Sequence, residues 1–168
     1  QVVNLATNKE VFSFVEHAPG RVDLRMGDAR KILEAEVAYK EPLYDVLVID
    51  ALTGDNIPAH LSNEEAFKLY FERLAPDGVL AVNISNWHLD LLPLIKAVSD
   101  RFDVPAVAFA QSNDFAKLRF SSMWALFMKS PPPDFTFPAD ARMLPLRQAR
   151  DFRMPNDERG SFVSLIRL

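Results

Sequence analysis

Asp50 ends the apolar run Tyr44-Asp45-Val46-Leu47-Val48-Ile49 and is followed, after Ala51-Leu52, by the small polar stretch Thr53-Gly54-Asp55-Asn56. A continuous aliphatic run suits a strand covered on both faces, as in parallel α/β sheets. Such sheets bind ligands beyond the carboxyl ends of their strands, so a carboxylate at this address can touch a ligand. The competing role is that of a turn acid that accepts hydrogen bonds from loop amides. Asp55 stands between ligand contact and ordinary loop acid. Asp28, in Gly27-Asp28-Ala29, offers only acceptors when ionised; by residue type alone it caps the helix of residues 29–38. Ser85, Asn86 and Trp87 follow a second covered strand and could line a pocket, although Trp87 equally suits closing the core. His17, His60 and His88 have no spacing that puts two on one helical face, so no metal site is expected.

The elements that must position these groups follow from period and punctuation. Val2 to Val15 recur at roughly helical spacing until Pro19-Gly20, which predicts a helix from 1 to about 18. Arg21 to Met26 alternates and predicts a half-covered strand near the sheet edge. Gly27-Asp28-Ala29 turns into a helix carrying Ile32, Leu33, Glu36 and Val37. Ser62-Asn63-Glu64-Glu65 has the form of a capping box, with Ser62 as cap. Behind it Phe67, Tyr70, Phe71 and Leu74 make one apolar helix face. Pro76-Asp77-Gly78 makes a turn into the strand Val79 to Ile84, and Asp90 is placed to cap a helix bearing Leu91 to Phe102. Strands near 106–110 and 123–129, joined by the short polar link Ser112 to Ser121, pair antiparallel. After Pro131-Pro132-Pro133 the chain is rich in proline and arginine and is expected to wrap the surface, with a last apolar segment at Phe162 to Ile166.

The 168 residues, 49% hydrophobic and 25% charged, suit one globular unit. A net charge of −4 disfavours nucleic-acid phosphates as partner and mildly allows a cationic ligand. Without cysteine there is no thiolate catalysis and no Cys-ligated metal, which fits a reducing cytoplasm. No window approaches a membrane span and no signal peptide is visible. There is no G-x-S-x-G elbow, no phosphate loop, and none of the five glycines forms G-x-G-x-x-G. The start at Gln1, without Met and inside an amphipathic pattern, predicts a preceding segment.

Three stretches in register, Gly27-Asp28-Ala29-Arg30, Tyr44 to Pro58 and Pro76 to Asn86, resemble the spermidine synthase family of the class I S-adenosylmethionine-dependent methyltransferase fold. The likeness is greatest to bacterial spermidine-synthase-like domains, some of them fused behind a membrane transporter-like region. It runs from about Arg21 to Lys129 and more faintly over Asp157 to Leu168. What it implies is an α/β, Rossmann-like three-layer sandwich with a mostly parallel sheet ending in an antiparallel strand pair. Residues 1–130 would form that domain, without its first strand, helix and strand, and 131–168 a Pro/Arg-rich tail.

The resemblance implies that Asp28 accepts from an adenine amino group while the Ala29 backbone meets the ring edge. One side chain can both cap and bind. It implies that Asp50, which also contacts the cofactor, orients and helps deprotonate an attacking amine, and that Asp55 is a second loop acid with a catalytic and substrate-binding role. In the family the second acid follows the first by three residues; here it follows by five, which leaves open whether the acceptor is a polyamine. Ser85 and Asn86 would line the acceptor side. The family's Gly-rich turn for the methionine moiety and its ribose-binding acid would both lie before Gln1.

The expected activity is aminopropyl transfer from decarboxylated S-adenosylmethionine to a polyamine amine, without a metal. The alternatives are a small-molecule methyltransferase using S-adenosylmethionine and a non-catalytic Rossmann-like module that has lost cofactor binding. The expected partner is a small-molecule amine; a homodimer and a membrane segment upstream of Gln1 are both compatible with the family.

Overall fold

A computed structural model describes residues 2–51, 58–131, 134–159 and 162–166. It is a mixed α/β structure with one five-stranded sheet. Helix α2 (Ala29–Ala38) precedes strand β1 (Tyr44–Ile49), helix α3 (Glu64–Glu72) precedes β2 (Leu74–Asn83), and helix α4 (Leu92–Phe102) precedes β3 (Ala106–Gln111). Strands β4 (Ser122–Phe127) and β5 (Arg142–Leu144) complete the sheet in the order β1-β2-β4-β3-β5. The N-terminal helix α1 covers Val2–Ala6 alone.

β1 pairs parallel with β2, whereas β2–β4, β3–β4 and β3–β5 are antiparallel. The mostly parallel sheet expected from the resemblance is therefore corrected among the described residues: one pairing is parallel and the antiparallel part is larger than a closing pair. β5 comes from the arginine-rich stretch with no readable period and takes an edge of the sheet.

Of the two elements expected at the amino end, the helix is cut short and the strand does not form. The helix expected over 1–18 stops at Ala6, and residues 21–26 belong to no strand. The reason is visible in their surroundings. Val2, Leu5, Val11, Phe12 and Phe14 stay exposed, as do Val22, Leu24 and Met26. Periodicity makes a helix or strand only where a partner covers the apolar side, since isolated short helices are marginal in water.

From Ala29 onward the elements follow their apolar faces. α3 buries Ala66, Phe67, Leu69 and Tyr70, and α4 buries Leu94, Ile95 and Val98. Phe67, Phe71, Phe102 and Phe127 meet with ring centroids 5.2 to 5.8 Å apart along the contacts Phe67–Phe127, Phe71–Phe127 and Phe71–Phe102. The cap of α3 is Asn63, whose side chain accepts from the Ala66 amide at 3.0 Å, rather than Ser62. Ser62 instead donates to the Pro58 carbonyl at 3.2 Å. Likewise Leu91 holds the cap position of α4, while Asp90 accepts from the Leu92 amide at 3.2 Å.

The expected turn at Pro76-Asp77-Gly78 lies within β2, where the register with β1 slips from Tyr44 opposite Leu74 to Val46 opposite Val79. A Cβ on Gly78 would sit 2.8 Å from the Tyr44 carbonyl oxygen, so only glycine permits this approach of backbones.

α2, β1 and α3 are joined by a buried polar network. Glu36 is 2% exposed and accepts from Tyr44 Oη at 2.8 and 2.9 Å, Arg25 Nη1 at 2.8 Å and Arg73 Nε at 3.2 Å. Arg73, equally buried, spends its remaining nitrogens on the carbonyls of Glu41 and Pro42 at 2.9 and 2.6 Å. Its guanidinium carbon lies 5.1 Å from the Tyr44 ring centroid. Burial, then the hydrogen bond to the Glu36 carboxylate, raises the Tyr44 pKa.

The carboxyl-terminal chain is part of this fold. Leu165 is 2% exposed within the main core, and its carbonyl accepts from the Asp90 amide at 2.8 Å.

Candidate active site

The parallel register sets Ile49 opposite Val82, so the next residue on each chain, Asp50 and Asn83, stand side by side at the carboxyl ends of β1 and β2. Asn83 Nδ2 donates to Asp50 Oδ1 at 2.8 Å. The amide is oriented from its other side, because the Ser85 backbone N–H donates to Asn83 Oδ1 at 2.8 Å. That leaves only the NH₂ group to face the acid. Ser85 is fixed in turn: its Oγ accepts from the Met123 amide at 2.8 Å and lies 3.5 Å from the Met123 carbonyl. Asp50 itself is exposed. Among the described residues Oδ2 has no hydrogen-bond partner, so that oxygen can accept from a ligand.

Beneath these strand ends, Ile49, Ala51, Pro58, Val82, Asn83 and Leu91 surround a cavity of about 20 Å³, which holds at most one water. A ligand-sized space lies instead between α2 and β1. That groove measures about 570 Å³ and runs from Ala29 and Ile32 past Tyr44 and Leu47 to Ile49, a volume ordinary for small-molecule sites. Ala29 and Ile49 line this groove, but the Asp28 and Asp50 side chains do not, so it does not bring the two acids together.

Asp28 caps α2 by accepting from the Lys31 amide at 3.1 Å. His60 Nε2 lies 3.2 Å from its other oxygen. The Lys31 hydrogen bond, with the His60 charge adding to it, holds the Asp28 carboxyl below the ordinary range. Each carboxylate oxygen has two lone pairs, so these contacts leave room for a ligand donor. Asn86 is buried and accepts from the His88 and Leu89 amides at 2.9 and 2.7 Å, which shapes the turn after β2. Trp87 is 81% exposed and does not close the core. Asp55 lies outside the described residues.

Sequence reasoning passed over Asn83 as a residue inside the expected strand Val79 to Ile84, whereas β2 ends at it. The available signal was a polar residue in register with Asp50 on a neighbouring parallel strand. It also missed a strap over the same end of the sheet. Asp157 accepts from Arg30 Nη1 and Nη2, both at 2.7 Å, and from Asn63 Nδ2 at 2.5 Å, while its amide donates to Glu65 at 3.1 Å. The amide of Glu64 donates to Pro155 at 2.9 Å. A segment far along the chain is thereby tied to the starts of α2 and α3.

The Arg30 hydrogen bonds are the main cause that holds the Asp157 carboxyl below the ordinary range. A depressed folded-state pKa stabilises the fold above the unfolded value, and this is lost as pH falls through the folded value. The urea midpoint of the wild type should therefore exceed that of Asp157→Asn by a constant margin from pH 7 to pH 5. That margin should shrink below about pH 4, where unfolded carboxylates protonate. A margin unchanged in acid would show that the carboxylate charge contributes nothing.

No family model matches the chain, and no curated protein matches it. Among solved structures it is similar to a probable spermidine synthase from Corynebacterium glutamicum ATCC 13032, with 23% identity and a TM-score of 0.46 over 68% of this chain and 40% of that one.

Proposed function

We propose that this chain is the acceptor-side part of a spermidine-synthase-like transferase that moves an aminopropyl group from decarboxylated S-adenosylmethionine to a polyamine amine. The observation that carries the proposal is Asp50 at the carboxyl end of β1, exposed and held through Oδ1 by Asn83 so that Oδ2 is open to a ligand. The quoted motif resemblance assigns an adenine to Asp28 and a nucleophilic amine to Asp50.

In this reaction the amine nitrogen attacks the aminopropyl carbon next to the sulfonium. The new C–N bond forms as the C–S bond breaks, and its electron pair leaves with sulfur as the neutral thioether. Asp50 Oδ2 accepts the hydrogen bond of the amine and takes the proton it sheds. A cationic polyamine suits the net charge of −4.

A second reading, a non-catalytic module, is favoured by Asp28 already serving as a cap and a His60 partner. The two separate in one assay. The protein carrying this chain is incubated with 1,4-diaminobutane and either decarboxylated S-adenosylmethionine or S-adenosylmethionine, and products are identified by mass spectrometry. Aminopropylated diamine with methylthioadenosine is the expected result. Methylated amine from the second co-substrate would reassign the group transferred, and no product with either would leave the non-catalytic module.

A further inference from the structure

We infer that Asn83 is the positioning residue for Asp50, a role that rests on the transferase reading and adds to it the device that aims the acid. An aspartate carboxylate rotates broadly about its last side-chain bond, so an exposed acid at a strand end presents its oxygens in no fixed direction. Here the direction is set by a chain of contacts that ends in the sheet. The Met123 amide on β4 holds Ser85 Oγ at 2.8 Å, the Ser85 amide holds Asn83 Oδ1 at 2.8 Å, and Asn83 Nδ2 holds Asp50 Oδ1 at 2.8 Å.

Each link is directional, and the direction cannot be reversed. A backbone N–H can only donate, so Asn83 must offer its carbonyl to Ser85 and its NH₂ to Asp50. A neutral amide donor also secures one carboxylate oxygen without supplying a fixed countercharge that would compete with a cationic amine. Oδ2 is then held out at the carboxyl end of β1. Because a misplacement of about 1 Å can cost on the order of 10²-fold in rate, loss of this aim is expected to act on turnover more than on binding.

The test is steady-state transfer by the protein carrying this chain, with decarboxylated S-adenosylmethionine and 1,4-diaminobutane. Asn83→Leu keeps the approximate volume and removes the donor. We expect kcat to fall about 10- to 100-fold, with KM for the sulfonium co-substrate within about twofold. In an Asp50→Asn background the same substitution should change kcat by less than about twofold, because residues acting as one unit are not additive. A merely structural role would lower both backgrounds alike.

Should Asn83→Leu not fold, the Asn83 side-chain amide protons are followed by NMR in the wild type and in Asp50→Ala. Their shift and slowed exchange should be lost in Asp50→Ala, and unchanged signals would overturn the inference. Turnover retained within twofold in a folded Asn83→Leu would also overturn it while leaving the transferase reading intact. No turnover by the wild type removes that reading itself, and the amide signals then decide whether Asn83 holds the acid.

Discussion

If the proposed transfer is the reaction, replacing Asp50 with asparagine is expected to lower kcat by about 10²- to 10⁴-fold, the range a positioned general base contributes, and to leave co-substrate affinity within a few fold. The substitution is unusually clean at this position. The introduced side-chain amide can turn its carbonyl towards Asn83 Nδ2, which in the wild type donates at 2.8 Å to Asp50 Oδ1, and so keep the strand ends joined. What then occupies the place of Oδ2 is an NH₂ group, a donor where the amine needs an acceptor. Steady-state kinetics beside calorimetric titration of the co-substrate separate the two effects. Equal turnover by mutant and wild type would remove Asp50 from the mechanism.

Arg73→Met is expected to destabilise the fold by about 3–5 kcal/mol, the cost of breaking a buried ion pair and leaving one charge uncompensated. The side chains of Arg73 and Glu36 are 3% and 2% exposed, so water cannot take the place of the guanidinium. Arg25 also reaches Glu36 but is 42% exposed, and it compensates only in part. The carbonyls of Glu41 and Pro42 lose their donors at the same time. Against a typical total of about 5–15 kcal/mol, such a loss leaves a measurable unfolded fraction. Urea denaturation should show a large fall in midpoint with little change in slope. Combining Glu36→Gln with Arg73→Met should recover part of it, since the stranded charge is gone; a double variant at the sum of the two single losses would refute the coupling.

Those two side chains also mark where a linear reading loses sight of the molecule. Glu36 stood in the expected helix stripe beside Ile32, Leu33 and Val37, yet Val37 is the exposed member and Glu36 the buried one. Tyr44, Arg25 and the buried Arg73, 37 residues later, make that burial tolerable. The bounds of α2 and β1 were legible, since α2 begins at Ala29 and β1 occupies the run before Asp50; the expected cover on both faces of β1 was not met, because β1 is an edge strand with Val46 and Val48 exposed. Residues 2–18 and 21–26 have the same quality of pattern but no covering surface, so their period produced five helical residues and no strand. β5 shows the converse, since Arg142–Leu144 carries little pattern and is recruited by the edge of β3.

The site divided along the same line. Asp50 could be placed because its address depends on one strand. Asn83 became visible only through the register between two strands, and Asp157 only through closure of the chain onto Arg30. Contacts of this kind are long-range by nature, and composition carries no trace of them.

Because Leu165 fills the main core and Pro155 sits buried beside Glu64, the molecule cannot reach its native packing from residues 1–130 alone. During synthesis at ~5–20 residues per second, Asp90 and Glu64 wait roughly seconds for their partners Leu165 and Pro155 to emerge. Growth of the nascent chain, rather than the pairing of β1 with β2, then sets the earliest moment at which the core around Leu165 can close.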